Sequence, residues 1–361
     1  MAHPVKTDRI VAIDALRAFA LLGILLIHTV ENFDFFEESL TVGPVDNLLN
    51  MVIGNLFHNR SNAIFALLFG CSFWFLLRNP LYPSCKFVWR CVLLVGIGVI
   101  AKVFYTYDIL MWYGLCGVML VSVRRCPPRA LLAIALILLM LSPFVAALHP
   151  GKLIFPQEMP ARYISGYTMR EVLDYPLIDS VKTSLVSVLD NLSLRTLGLM
   201  VLGYWFGQKG YIMRWKEIVT TRLMLTACLI TILMFAFVLV IRDDGTSRLF
   251  LVSAEWLFSV QALFMAILFL WLCRKTARWQ KPLACYGRLG LTNYFFQGIV
   301  GVTLTCMWFI PYGMHLTLQI AVMLAFFGMQ MLFSIFWCRT HRNGPLEYLW
   351  RKATSIIPNR N

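Results

Sequence analysis

A chain of 361 residues that is 59% hydrophobic and 14% charged falls outside the soluble globular class, where about a quarter of residues carry charge. Its formal net charge of +14 would suit a nucleic-acid binder, but basic charge on the cytoplasmic loops of a polytopic membrane protein explains it better alongside such long apolar runs. No phosphate loop or dinucleotide fingerprint is present, so no nucleic-acid partner is expected. Of the ten cysteines, Cys71, Cys91, Cys116, Cys228 and Cys306 lie inside apolar runs, and no paired spacing suggests a disulfide framework or a zinc site; no metal is expected.

The first apolar segment, Ile10 to Glu31, is long enough to cross a bilayer yet contains Asp14, Arg17 and His28. A charge in such a segment is costly and marks function or a pairing partner. At about 100° per residue, Arg17 and His28 differ by about three turns plus 20°, so they share one face about 16 Å apart along the axis. Asp14 and Glu31 flank that face, giving a polar stripe on an otherwise apolar helix. No small-residue cleavage site follows Lys6 and Arg9, which argues for a retained helix and against a signal peptide.

The next segment is acidic and then apolar from Leu48 to Phe57, which predicts a short helix lying on or dipping into the membrane. Spans follow at about Ser61–Leu77, Phe87–Tyr105, Asp108–Val123 and Ala130–Leu148. His149 to Asp190 is a polar connection, expected to be a loop with some helix. Further spans are expected at about Leu192–Gly210, Leu223–Ile241, Leu249–Cys273, Leu289–Phe309 and His315–Cys338. The expected fold is therefore all-α, a single transmembrane domain over 1–361 with about ten spans.

Basic residues alternate with this count. With the amino terminus inside, every inside segment is basic: Lys6 and Arg9, then Arg78, Lys86 and Arg90, then Arg124, Arg125 and Arg129, and so on to Arg351 and Lys352. Most acids fall on the opposite side. The expected topology has both ends in the cytoplasm. Arg17 then lies toward the cytoplasm and His28 near the outer face, in a multi-pass protein of the plasma membrane, consistent with a bacterial inner membrane.

Several short sequences carry a resemblance: RIVAIDALRAFALLGILLIH from Arg9, IFALLFG at Ile64–Gly70, DILMWYGLCG at Asp108–Gly117, GLMVLGYWFGQKG at Gly198–Gly210, GRLGLTNYFFQ at Gly287–Gln297 and GPLEYLWR at Gly344–Arg351. In this order, and from end to end, they resemble the signatures of the YeiB family. That family in turn resembles the transmembrane acyltransferases, including the heparan glucosamine acetyltransferase and the acyltransferases of bacterial surface sugars. The resemblance implies transfer of an acyl group from cytoplasmic acyl-CoA to an extracytoplasmic or membrane acceptor, such as a glycan or lipid. The sugar-modifying branch has an arginine, ten residues and a histidine in its first helix, which Arg17 and His28 match. The YeiB pattern commonly has asparagine where His28 stands.

The chemistry of these residues can be stated independently. Acyl transfer to a hydroxyl or amine needs a base, and an imidazole is the usual one; His28 fits. A carboxylate on the other ring nitrogen would orient it, and Glu31 and Glu255 are the candidates. The alternative for His28 is an interfacial side chain satisfied by a carbonyl. Arg17 either holds an acyl-CoA phosphate or thioester, or forms a structural ion pair with Asp14. Asn293, Tyr294 and Gln297, with Arg288 at the cytoplasmic mouth, either line the path of the pantetheine arm or bond neighbouring helices. Asp108, with Tyr113, either approaches the acceptor or caps a helix. A transporter of a small or amphipathic solute is the rival reading, since intramembrane polar groups also mark transport pathways, although no inverted repeat or broken helix points to it. A homo-oligomer is compatible with everything above.

Overall fold

The computed structural model describes residues 10–36, 43–104, 108–148, 191–241, 247–309 and 311–359, and all regular structure among them is helical. In order these are α1 (Val11–Phe36), α2 (Pro44–Phe57), α3 (Arg60–Leu77), α4 (Ser84–Phe104), α5 (Leu110–Leu120), α6 (Pro128–Leu148), α7 (Asn191–Gln208), α8 (Thr221–Val240), α9 (Arg248–Lys275), α10 (Gln280–Arg288), α11 (Gly290–Leu304), α12 (Leu316–Thr340) and α13 (Pro345–Thr354). The expected loop from His149 to Asp190 lies outside the described residues.

Each of the ten apolar segments contains a helix, with shifts at the ends. Helix α1 runs on to Phe36, five residues beyond Glu31. Helix α2 begins at Pro44, and its 14 residues extend about 21 Å, short of a hydrocarbon core of about 30 Å. It is separated from α3 by His58 and by Asn59, which takes the left-handed conformation (φ 61°) that asparagine tolerates better than most side chains. Seven stretches are long and apolar enough to cross a membrane: Val11–Glu31, Pro44–Leu77, Ser84–Lys102, Pro128–Val145, Thr221–Val240, Arg248–Lys275 and Leu316–Thr340. The remaining expected spans are shorter or more polar. Helix α5 continues as one 3-10 turn to Val123, and α11 continues as a π-turn over Thr305–Phe309.

Helix α1 is the centre of the bundle. It packs against α2, α3, α9, α10, α11 and α12, and 67% of its apolar window is buried, against 6% for α8. The large residues of α8, such as Leu225, Leu229 and Leu233, face outward, as lipid-facing side chains do. Helices α3 and α7 cross closely because both present glycine. A Cβ on Gly70 would lie 1.9 Å from the Met200 carbonyl oxygen, and one on Gly203 would lie 2.0 Å from that of Leu67. Small residues at such crossings let backbones approach where no hydrophobic effect drives helices together.

Three helix starts are satisfied by side chains. Thr220 and Ser247 accept hydrogen bonds from the Leu223 and Phe250 amides at the starts of α8 and α9, both at 3.2 Å, as N-caps do. The start of α11 is capped from elsewhere in the chain. Glu347 of α13 accepts from the amides of Leu291 (2.7 Å) and Thr292 (3.1 Å) and from the Thr292 hydroxyl (2.5 Å). The GPLEYLWR stretch thus serves to hold the amino end of the helix that carries Asn293, Tyr294 and Gln297.

Candidate active site

The carboxy-terminal half of α1 meets α11 and the turn that precedes α5. The His28 ring stands edge-on to Tyr294, with ring centroids 6.4 Å apart. The Tyr294 hydroxyl accepts from the Ile109 amide at 3.2 Å and hydrogen-bonds the Asp108 carboxylate. Since that hydroxyl has one hydrogen, it is donated to the carboxylate. Asp108 is 1% exposed, and its oxygens accept from the Leu110 amide at 3.0 and 3.2 Å. It is therefore both a helix cap and a member of the cluster. Lys102 of α4, also buried, is the cation whose charge acts on Asp108. Lys102 was not singled out from the sequence, although a lysine near the end of an apolar run and six residues before an aspartate was a readable signal.

The two glutamates proposed to orient His28 go to different places. Glu31 lies 3.7 Å from His58 Nδ1, and it is also the acid whose charge acts on His28. Glu255 instead meets Arg195 at 2.8 Å, both side chains buried, and Asn59 Oδ1 accepts from the same guanidinium at 3.0 Å. Beside them Arg60 donates to Gln261 Oε1 (2.8 and 2.6 Å) and to the carbonyls of Gly54 and His58. Each buried charge here has polar partners, as burial requires. The sequence reading missed Arg60 and Arg195, both of which sit near the beginnings of apolar helices, where a charge resembles a loop residue. Tyr113 donates to the Asn62 carbonyl at 2.7 Å.

In the amino-terminal half of α1, Arg17 donates to Asp14 (2.7 Å), the Ser72 hydroxyl (3.3 Å) and the Gly287 carbonyl (3.4 Å). These bonds tie α1 to α3 and α10. On α11, Asn293 donates to the Tyr286 carbonyl and the Ser334 hydroxyl, both at 3.1 Å, and Gln297 donates to the Tyr286 hydroxyl at 2.5 Å. These amides bond neighbouring helices. Arg288 donates to the Arg342 carbonyl at 2.7 Å, while its buried Nε has no partner.

Between His28 and α11 lies a cavity of about 10 Å³, lined by Leu25, His28, Thr29, Gln297, Thr305 and Met323 among others. It has room for about one water. Among the described residues no group of three or more His, Cys, Asp or Glu side chains is placed to hold a metal ion.

Two family models match. Residues 9–162 match the catalytic region of heparan-alpha-glucosaminide N-acetyltransferase, a stretch that includes Arg17, His28 and Asp108. Residues 200–357 match a family described as a protein of unknown function, DUF418. The sequence is 26% identical to the uncharacterized protein YeiB of Escherichia coli, with 96% of each chain covered. It is 22% identical to an uncharacterized 39.9 kDa protein of Bacillus acidopullulyticus, over 97% of this chain and 95% of that one. A shorter match, 39% identical over 77 residues, is to the uncharacterized protein YxaH of Bacillus subtilis. No solved structure matches. The resemblance to YeiB therefore runs the length of the chain, with the acetyltransferase-like model over its first part and the DUF418 model over its last.

Proposed function

We propose that this protein is a membrane acyltransferase that moves an acyl group from cytoplasmic acyl-CoA to an acceptor at the outer side of the plasma membrane, a glycan or a lipid. In this reading the ten spans expected from the sequence cross the membrane with both termini inside, as the alternation of basic segments supports. The observation that carries the reading is the meeting of His28, Tyr294 and Asp108 from three separate elements at one end of the most buried helix, within the stretch similar to the acetyltransferase catalytic region.

In the reaction, the acceptor oxygen or nitrogen attacks the thioester carbonyl while His28 takes its proton. The new C–O or C–N bond forms as the C–S bond breaks, and the departing thiolate receives a proton from the imidazolium. Asp108, itself held by the Leu110 amide, fixes Tyr294, and Tyr294 packs the imidazole edge-on. Glu31 supplies the negative charge that favours the imidazolium as it forms. Arg288 meets a CoA phosphate at the mouth. The bonds of Arg17, Asn293 and Gln297 support their packing roles, and Glu255 acts with Arg195 in holding α9 to α7.

Binding of CoA and acetyl-CoA to the purified protein in lipid nanodiscs tests this. Micromolar binding that weakens at least tenfold in Arg288→Ala, with unchanged thermal stability, is the expected result. Absence of CoA binding by well-folded protein would remove the acyltransferase reading and favour a transporter.

A further inference from the structure

Where α4 begins, basic side chains meet without an acid among them. Lys86 and Arg90 stand one turn apart on α4, a spacing at which like charges repel, and the charge of Arg351 on α13 acts on Arg90 as well. The chain has no Asp or Glu between Asp46 and Asp108. On α13 the acid is Glu347, which is committed to the start of α11. The hydrogen bonds of the outer two cations go to neutral amides instead: Lys86 donates to Asn359 Oδ1 at 3.0 Å, and Arg351 to Asn343 Oδ1 at 2.6 Å.

Arg90 is held by stacking. Its guanidinium carbon lies 3.8 Å from the centre of the Trp350 ring. Two indole N–H groups fix α13 there, Trp350 donating to the Arg90 carbonyl at 3.0 Å and Trp89 to the Ala353 carbonyl at 3.1 Å. Stacking uses the face of the guanidinium and leaves the N–H groups on its edge for other partners. Among the described residues no carboxylate or carbonyl takes them. The buried Tyr82 hydroxyl lies beside the same cation and makes no regular hydrogen bond, and Lys86 Nζ stands 5.8 Å from the centre of the Tyr82 ring. A cation withdrawn from water is costly unless an anion or an acceptor meets it. Here the protein supplies the cations and not the anion.

We infer that Lys86, Arg90 and Arg351 form a binding site for a phosphate monoester, whose oxygens take the edge of the Arg90 guanidinium and the remaining N–H groups of the other two. Two guanidinium groups and an ammonium match the charge of about −2 on a monoester at neutral pH better than the single charge of a diester. Two sources carry that group near a membrane: the nucleotide end of CoA, with its 3′-phosphate, and the headgroup of phosphatidic acid. Asn343, which holds Arg351, follows Arg342, whose carbonyl holds Arg288, so the site adjoins the residue placed at the mouth for CoA. The site stands on the cation cluster alone; its assignment to CoA rests on the acyltransferase reading.

The test is binding to the full chain in phosphatidylcholine nanodiscs, read by thermal unfolding, with CoA or dephospho-CoA (which lacks the 3′-phosphate) added, or with phosphatidic acid or phosphatidylglycerol in the bilayer. The expected result is a preference of at least tenfold for one monoester over its control, CoA over dephospho-CoA or phosphatidic acid over phosphatidylglycerol. Arg351→Gln, at an exposed position, should abolish that preference without changing the stability of the unliganded protein, and Arg90→Gln should do the same if it folds. Arg129→Gln removes an exposed cation at the start of α6 and should leave the preference intact. A preference for CoA assigns the site to the nucleotide, and one for phosphatidic acid assigns it to the lipid. No preference for either monoester, a preference that survives Arg351→Gln, or one lost equally in Arg129→Gln would overturn the proposal. CoA that binds equally well without its 3′-phosphate, with no preference for phosphatidic acid, would overturn this site and leave the acyltransferase reading standing. A preference for phosphatidic acid with no CoA binding would keep the site and remove that reading.

Discussion

Arg17 and His28 share one face of α1, but the two ends of that face are built differently. At the Arg17 end a guanidinium is fixed by a carboxylate, a hydroxyl and a carbonyl from three elements, and α10 crosses so closely that a Cβ on Gly287 would lie 1.9 Å from the Asp14 carbonyl oxygen. At the His28 end the ring stands against Tyr294 and beside a water-sized cavity, and the nearby acid is shared with His58. The spacing of two polar residues on one helix therefore does not make them partners in one task. The Arg17 end is a lock between helices, and the His28 end is a ring beside a small cavity.

Substitutions on stability should fall in a matching order. Arg17→Ala removes the cation 2.7 Å from the Asp14 carboxylate, which is 8% exposed, and removing one partner of a buried pair costs about 3–5 kcal/mol. Thermal unfolding in nanodiscs should show the largest loss here, and a near-neutral result would mean that Arg17 is available for a ligand. Gly287→Ala forces a methyl group into the α1–α10 crossing, at a cost of about 1–3 kcal/mol from overpacking. If its melting temperature equals that of the wild type, the close crossing is not a feature of the folded protein. Leu233→Val on the outward face of α8, where Leu233 is 60% exposed, should change stability by no more than about 0.5 kcal/mol. A larger loss would indicate that α8 is covered by a partner helix, as in a homo-oligomer, and not by lipid.

The architecture was legible in the sequence because hydropathy reports local composition. The break between α2 and α3, the helices over the expected segments and the polar face of α1 all follow from that local pattern. The partners of the polar groups were legible only in part. Glu31 was readable, being one turn from His28, but the pairing of Glu255 with Arg195 joins positions 60 residues apart and leaves no periodic trace. Asn293 and Gln297 were recognised as a polar face, yet nothing local says that Tyr286, Gln330 and Ser334 wait opposite. The GPLEYLWR stretch resembled a family signature, but its role in capping α11 through Glu347 is a contact between distant segments. Hydropathy also ranks α8 above α1, although α1 is the buried centre. The charges on α1 were the better guide to position, since a charge can stay in a span only where protein surrounds it.

The central claim is that the outer end of α1 performs proton transfer in acyl transfer, and it is tested most directly by His28→Asn, with acyl transfer from acetyl-CoA to extracted membrane glycans and lipids measured per mole of folded protein. Asparagine preserves polarity and approximate size but cannot take the acceptor's proton at neutral pH. The account predicts normal folding and a loss of specific activity of about 10² to 10⁴-fold, the usual contribution of a general base. Full specific activity in the folded His28→Asn protein would contradict it.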